Sequence, residues 1–309
     1  MRIAVVGHIG RLGTALLRAL AASPATAGAT LILWDQPDFQ LDTVTAASFG
    51  ALLDAERPDV VVMTAAWTDV DGCAKDPDAA MRRNGIAVGE VALATAARGV
   101  DLVAISTNEV FDGARTDGQG YRPGDVRNPI NAYGAAKAAA EQLAIAAYTA
   151  PGATGRLGIV RTSWLYGPPG NDFPEKIARA ALRAKAAGEP LRAVADEIGV
   201  PTYTPDLAAG IVELVGASAV AAPGTSWQIH HLVNGGRASR ADWAREVVRA
   251  TNIVVDVVDV PMSTWQRAST PPPWAVLEPT PLPSGRPLRQ WQEAFADALP
   301  ALLGNLAAG

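Results

Sequence analysis

The strongest constraint lies at the start of the chain. The run "IAVVG" (3–7) is short, apolar and β-branched, and it leads into "GHIGRLG", which holds Gly7, Gly10 and Gly13. Beyond it Leu12, Ala15, Leu16, Ala19 and Leu20 recur at the spacing of one helical face. A strand, a glycine turn and a helix in that order open an α/β unit. Glycines at that place permit a tight turn and let backbone N–H groups approach a pyrophosphate at the helix N-terminus.

The pattern then repeats. Apolar runs at 30–35, 59–64, 101–107 and 156–163 alternate with helical patterns near 11–22, 46–56, 77–98 and 131–149. Strands that are apolar throughout and joined by helices predict a parallel sheet covered on both faces. Beyond about 165 the pattern loosens, with helices expected near 172–187, 205–216, 239–250 and 288–303 and strands near 191–195, 226–233 and 253–260. The expected fold is α/β: a doubly wound parallel sheet of the NAD(P)-binding Rossmann type with a smaller α/β substrate domain. The first domain would take 1–165 plus about 199–222, the second 166–198 plus 223–309. The segment 270–287 carries seven prolines and reads as a rigid connection or, less simply, a lid.

Composition narrows the function. A net charge of −5 with no basic block argues against nucleic acid as a partner. Cys73 is the single cysteine, which excludes an intrachain disulfide framework and a cysteine-built zinc site. His230 and His231 have no third ligand in view, so no metal is expected. No run reaches the roughly 18–20 apolar residues of a membrane span, and the cytoplasm is the expected location.

Candidate chemistry gathers in two strings. In "NAYGAAK", Tyr133 and Lys137 stand four apart on a predicted helix and so share a face. Chance would produce about 0.06 such pairs in a chain with 5 Tyr and 4 Lys. A phenol alone has a pKa near 10, too high for easy proton exchange at neutral pH; a neighbouring ammonium stabilises the phenolate. Tyr133 can then donate a proton to a carbonyl oxygen as hydride arrives. Ser106 and Thr107 end the fourth strand, on the carboxyl edge where open α/β sheets bind ligands. Either hydroxyl can bond the same oxygen. Asp35 ends the second strand, where a carboxylate accepts from an adenosine ribose and repels a 2′-phosphate. NADH is thereby slightly favoured over NADPH, although Arg11 nearby can offset the repulsion.

These residues resemble a known set. The G-x-x-G-x-x-G spacing with Thr107, Tyr133 and Lys137 is similar to the extended short-chain dehydrogenase/reductases, with Thr107 the aligned hydroxyl and Ser106 the reserve. The strings "VVVMTAAWTDVDGCAKDP" (60–77), "STNEVFDG", "NPINAYGAAK", "RTSWLYGPPGNDF" (161–173) and "DEIGVPTYTPDLA" (196–208) narrow the likeness. Over about 1–250 the chain resembles the dTDP-4-dehydrorhamnose reductase family. The resemblance implies reduction of a 4-keto group on a nucleotide-linked, first of all dTDP-linked, 6-deoxysugar. It implies cofactor contacts from Gly7, Ile9, Gly10, Arg11, Leu12, Gly13, Asp35, Ala65, Ala66, Thr68, Asn84 and Ser106, besides Tyr133 and Lys137. It places Val70, Asn108, Glu109 and Trp164 at the sugar, with the Trp164 face over the ring. It also allows a homodimer.

Two departures qualify it. Where the reductases usually read Ser-Thr-Asp-Tyr, this chain reads Ser106-Thr107-Asn108-Glu109. The related dehydratases use an Asp and a Glu there, but an amide at 108 cannot act as a general acid, so dehydration should be crippled. Glu109 is expected to bond a sugar hydroxyl and change specificity, with proton abstraction at C5 the alternative. Near the C-terminus the family's Arg-Pro-x-x-Ser-x-Leu string is replaced by "PPPWAVL" (271–277), and Trp274 is expected to restore contacts by stacking. A reductase or epimerase for another sugar, and a non-catalytic dinucleotide-binding subunit, remain open readings.

Overall fold

The computed structural model describes residues 1–307. Five strands follow the expected apolar runs: β1 (Arg2–Val6), β2 (Thr30–Trp34), β3 (Val60–Met63), β4 (Asp101–Thr107) and β5 (Leu157–Thr162). With a sixth strand, Trp227–His231, they form one all-parallel sheet in the order Trp227–His231, β5, β4, β3, β1, β2. Parallel strands need crossovers, and these supply the two layers. Helix α1 (Arg11–Ala22) and helix Thr204–Gly216 cover one face through Leu12, Leu16, Leu20, Leu207 and Ile211. On the other face lie α2 (Ala46–Glu56) and the helices Ala87–Ala96 and Ala132–Thr149, with Phe49, Leu53, Val91 and Ala144 buried among them. The order in which strands are added reverses between β1 and β3, β2 lying on one side of β1 and β3 on the other, which opens a crevice at the carboxyl ends of β1 and β3.

Strand Trp227–His231 belongs to this sheet, whereas the sequence assigned 223–309 to the smaller domain; residues 308–309 of that range lie outside the described part. "WQIHH" hides its role because its histidines are buried by hydrogen bonding rather than by apolarity. His230 Nε2 lies 3.0 Å from the Val220 carbonyl and His231 Nδ1 3.2 Å from that of Glu278.

The expected helix 77–98 divides. After Val70–Lys75 comes a short helix, Pro77–Ala80, then a π-helical turn, Met81–Ile86, and only then Ala87–Ala96. Outside the all-parallel sheet the short strands of the described residues pair two by two: Leu191–Val194 with Val257–Val260, Ile198–Gly199 with Ala238–Ser239, and Leu165–Tyr166 with Thr202–Tyr203. An aromatic core in which Tyr166 meets Trp243 edge-on and Phe295 at a tilt holds the smaller part together. The proline segment is stitched down rather than hinged: Ala275 N donates to the Ile198 carbonyl at 2.7 Å, and Tyr121 N to that of Val276 at 2.8 Å. Among the described residues no helix is long and apolar enough to cross a membrane.

Candidate active site

A cleft of about 810 Å³ runs along the carboxyl edge of the sheet, from the glycine turn to Trp164 and Arg240 on the smaller part. At its start the glycines differ in purpose. A side chain at Gly7, whose φ is +83°, would come within 2.6 Å of Ala65 N, and one at Gly13 would collide with the Gly7 carbonyl. Those two are needed by the turn itself. Gly10 is not, since an added Cβ would meet only the Gly7 carbonyl at 3.4 Å. It is the N-cap of α1 and supplies no side-chain cap, whereas Thr45, Asn131, Asp172 and Ser239 cap their helices. The first N–H groups of α1 are thus left for a ligand, and the donor set fits a pyrophosphate.

Ile9, Leu12, Asp35, Ala65, Ala66 and Thr68 line the same stretch. Ile9 N lies 3.4 Å from Asp35 Oδ2. Arg11 is placed otherwise than expected. Its guanidinium donates to the carbonyls of Gly167 and Gly170 and pairs with Asp172 at 3.3 Å, so it latches the turn to the smaller part instead of screening Asp35. Arg83, also in the cleft, bonds Asp42 at 2.6 Å and lies over Trp67. Asn84 sits one layer behind. The π turn carries its buried side chain to the Trp67 backbone, with Oδ1 accepting from N at 2.9 Å and Nδ2 donating to the carbonyl at 2.8 Å.

Thr107, Tyr133 and Lys137 converge at the middle of the cleft. Helix Ala132–Thr149 starts at Asn131, whose Oδ1 caps Gly134 N at 2.8 Å. Tyr133 and Lys137 therefore fall on its first turns, facing the end of β4. Lys137 is buried and donates to the Ile105 carbonyl at 3.0 Å. Burial pushes its pKa down to about 8, with Glu141 and Cys73 opposing. Burial pushes the Tyr133 phenol up, Glu109 and Cys73 add to this, and the Thr107 hydroxyl opposes it. Ser106 also lines the cleft, and its hydroxyl donates to Glu141 Oε1 at 2.6 Å.

The sugar side holds Val70, Asn108, Glu109 and Trp164. Asn108 Oδ1 accepts from the Thr107 hydroxyl at 3.2 Å. Glu109 Oε2 accepts from Asn131 Nδ2 at 2.7 Å, and burial, reinforced by Glu197, pushes its pKa up. Trp164 does not offer a free face. The Arg240 guanidinium lies 3.5 Å from its ring centroid and Trp243 stacks parallel to it at 5.9 Å. Arg240, paired with Glu197 at 2.7 Å, is a cleft residue the sequence did not reveal, since it reads as the exposed first residue of an amphipathic helix. Trp274 is absent from the cleft; its Nε1 donates to the Gln119 carbonyl at 2.8 Å, and Arg237 covers its ring. Among the described residues no group of three or more His, Cys, Asp or Glu is placed to hold a metal ion.

Comparison with known proteins shows the family to which the chain belongs. The family described as RmlD substrate binding domain matches residues 1–303. A dTDP-4-dehydrorhamnose reductase of Mycolicibacterium smegmatis is 34% identical over 98% of this chain and 86% of that protein. A dTDP-4-keto-6-deoxy-D-glucose reductase of Streptomyces niveus is 34% identical over 85% of this chain and 86% of its own. The crystal structure of a Bacillus anthracis dTDP-4-dehydrorhamnose reductase in complex with NADP superposes with a TM-score of 0.82 at 29% identity, covering 96% of this chain and 98% of that one.

Proposed function

Because the chain belongs to the RmlD substrate binding domain family, we propose that it catalyses NAD(P)H-dependent reduction of the 4-keto group of a nucleotide-linked 6-deoxysugar, dTDP-4-dehydro-L-rhamnose being the leading candidate. The observation that carries the reading is the convergence of Thr107, Tyr133 and Lys137 in one cleft with the uncapped glycine turn. The nicotinamide supplies the hydride when bound. The chain's residues must hold the carbonyl and give its oxygen a proton.

Tyr133 is the proton donor. Its raised pKa keeps the phenol protonated at neutral pH, which reduction requires. Thr107 bonds the same oxygen and stabilises the phenolate left behind. Lys137 binds the nicotinamide ribose and, while charged, lowers the cost of that phenolate. Gly10 and the first turn of α1 hold the pyrophosphate, and Asp35 holds the adenosine ribose. Glu109, Asn108 and the Trp164–Arg240 pair face the sugar. With an amide at 108, no acid stands there to expel a hydroxyl.

The division of labour follows the cleft. Residues 1–165 with 199–231 bind the cofactor, and 166–198 with the rest of the chain bind the sugar, in a cytosolic enzyme. Loss of NADH or NADPH absorbance with enzymatically prepared dTDP-4-keto-6-deoxysugars tests the reading, and NMR of the product separates reduction from epimerisation. Tight cofactor binding without turnover on any such sugar would overturn it in favour of a non-catalytic binding subunit.

A further inference from the structure

Behind the cleft, three consecutive residues of β4 meet three residues one turn apart on helix Ala132–Thr149. The Ile105 carbonyl accepts from Lys137 Nζ at 3.0 Å, the Ser106 hydroxyl donates to Glu141 Oε1 at 2.6 Å, and the Thr107 hydroxyl favours the ionised form of Tyr133. Tyr133, Lys137 and Glu141 are spaced i, i+4, i+8 and so share one helix face. Glu141 is only 2% exposed and Arg161 of β5, the register partner of Ser106, only 1%. Arg161 bonds both carboxylate oxygens, at 2.8 and 2.6 Å. Arg127 reaches Oε2 from the preceding loop at 3.3 Å. One carboxylate thus ties together β4, β5 and the helix that carries Tyr133 and Lys137.

We propose that Glu141, which does not line the cleft, is a positioning residue that acts through Lys137, keeping it in register with β4. The inference rests on the reading that Tyr133 and Lys137 perform the proton chemistry.

The groups around Lys137 give the sign of the effect. Cys73, from the short helix Val70–Lys75, is a neutral thiol that burial pushes up to about 11. Tyr133 on the same helix is a neutral phenol, and Glu109 approaches from the turn after β4. His231, in the outermost strand, is pushed down to about 3 by burial and by Arg161, so it is neutral. Arg161 and Arg127 are cations whose charge falls on Glu141. Burial lowers Lys137 to about 8, and with Cys73 neutral in that range Glu141 is the charge that opposes it. The ammonium is therefore lost as pH rises through about 8, and kcat should fall with it.

The test is kcat against pH at saturating substrates for wild type, Glu141→Gln, Glu141→Asp and Arg127→Ala, with Tyr133→Phe alongside. Glu141→Gln should move the alkaline limb to lower pH by about one unit, and Glu141→Asp should restore it. Arg127→Ala, which removes a cation that offsets Glu141, should move the limb the other way. A merely structural role would not shift the two limbs in opposite directions. Profiles that overlay wild type, or shifts of the same sign, would overturn the proposal. If Glu141→Gln does not fold, Arg127→Ala, at a half-exposed side chain, decides the matter alone. Turnover retained in Tyr133→Phe would refute the underlying reading instead, whatever the limbs do.

Discussion

Asn84 clasps the backbone of Trp67 through both flanking peptides, accepting from its N–H at 2.9 Å and donating to its carbonyl at 2.8 Å. The clasp fixes the loop after β3, which lines the cleft from Thr64 to Thr68. A π-helical turn widens the backbone where this side chain leaves it, and such turns recur at functional sites. Asn84→Ala leaves both Trp67 groups without their partner. The expected cost is about 1–3 kcal/mol for an orphaned group, read as a lower urea midpoint, with weaker NADH binding by fluorescence titration. Unchanged stability and affinity would show that the clasp is incidental.

Cofactor choice is expected to follow from Asp35. The cleft arginines nearest the glycine turn are engaged elsewhere, Arg11 with Asp172 and two carbonyls and Arg83 with Asp42. No free cation is left to meet a 2′-phosphate among the described residues of that stretch. The enzyme should prefer NADH to NADPH in kcat/KM, unlike the Bacillus anthracis structure, which holds NADP. Asp35→Ala should shrink the preference about tenfold, the effect of roughly 1.4 kcal/mol. A wild-type preference for NADPH would contradict this account of the turn.

Glu109 stands where the family resemblance leads one to expect tyrosine, and Asn131 alone bonds its carboxylate among the described residues. Glu109→Gln keeps the shape and removes the charge. It should change KM for the sugar and the ranking among keto sugars, while the NADH dissociation constant stays within about twofold. Sugar kinetics that do not change on any substrate would exclude Glu109 from recognition.

Much of this was legible in the sequence, for physical reasons that can be named. β1 and β3 to β5 are largely buried, so they read as apolar runs, and the glycine turn is local in sequence. Tyr133 and Lys137 are legible because one helix spaces them. What escaped depends on contacts between distant segments. Arg11 bonds carbonyls more than 150 residues away. Arg240 reads as a solvated helix residue until Glu197, Trp164 and Phe173 surround it. Trp164 suggested a free aromatic face, but that face is covered by a guanidinium. Met81–Ile86, "MRRNGI", carries no local signal that announces its π geometry. Trp274 was expected at the sugar because it interrupts an altered string; the paired backbone of the proline segment turns it toward Gln119.

The central claim is that Tyr133 gives the proton. The most direct measurement is single-turnover oxidation of NADH by Tyr133→Phe with the preferred keto sugar, beside cofactor titration of the same variant. The account predicts a rate loss of about 10²–10⁴-fold with cofactor affinity nearly intact. A rate within threefold of wild type would contradict it and move the proton donor elsewhere in the cleft.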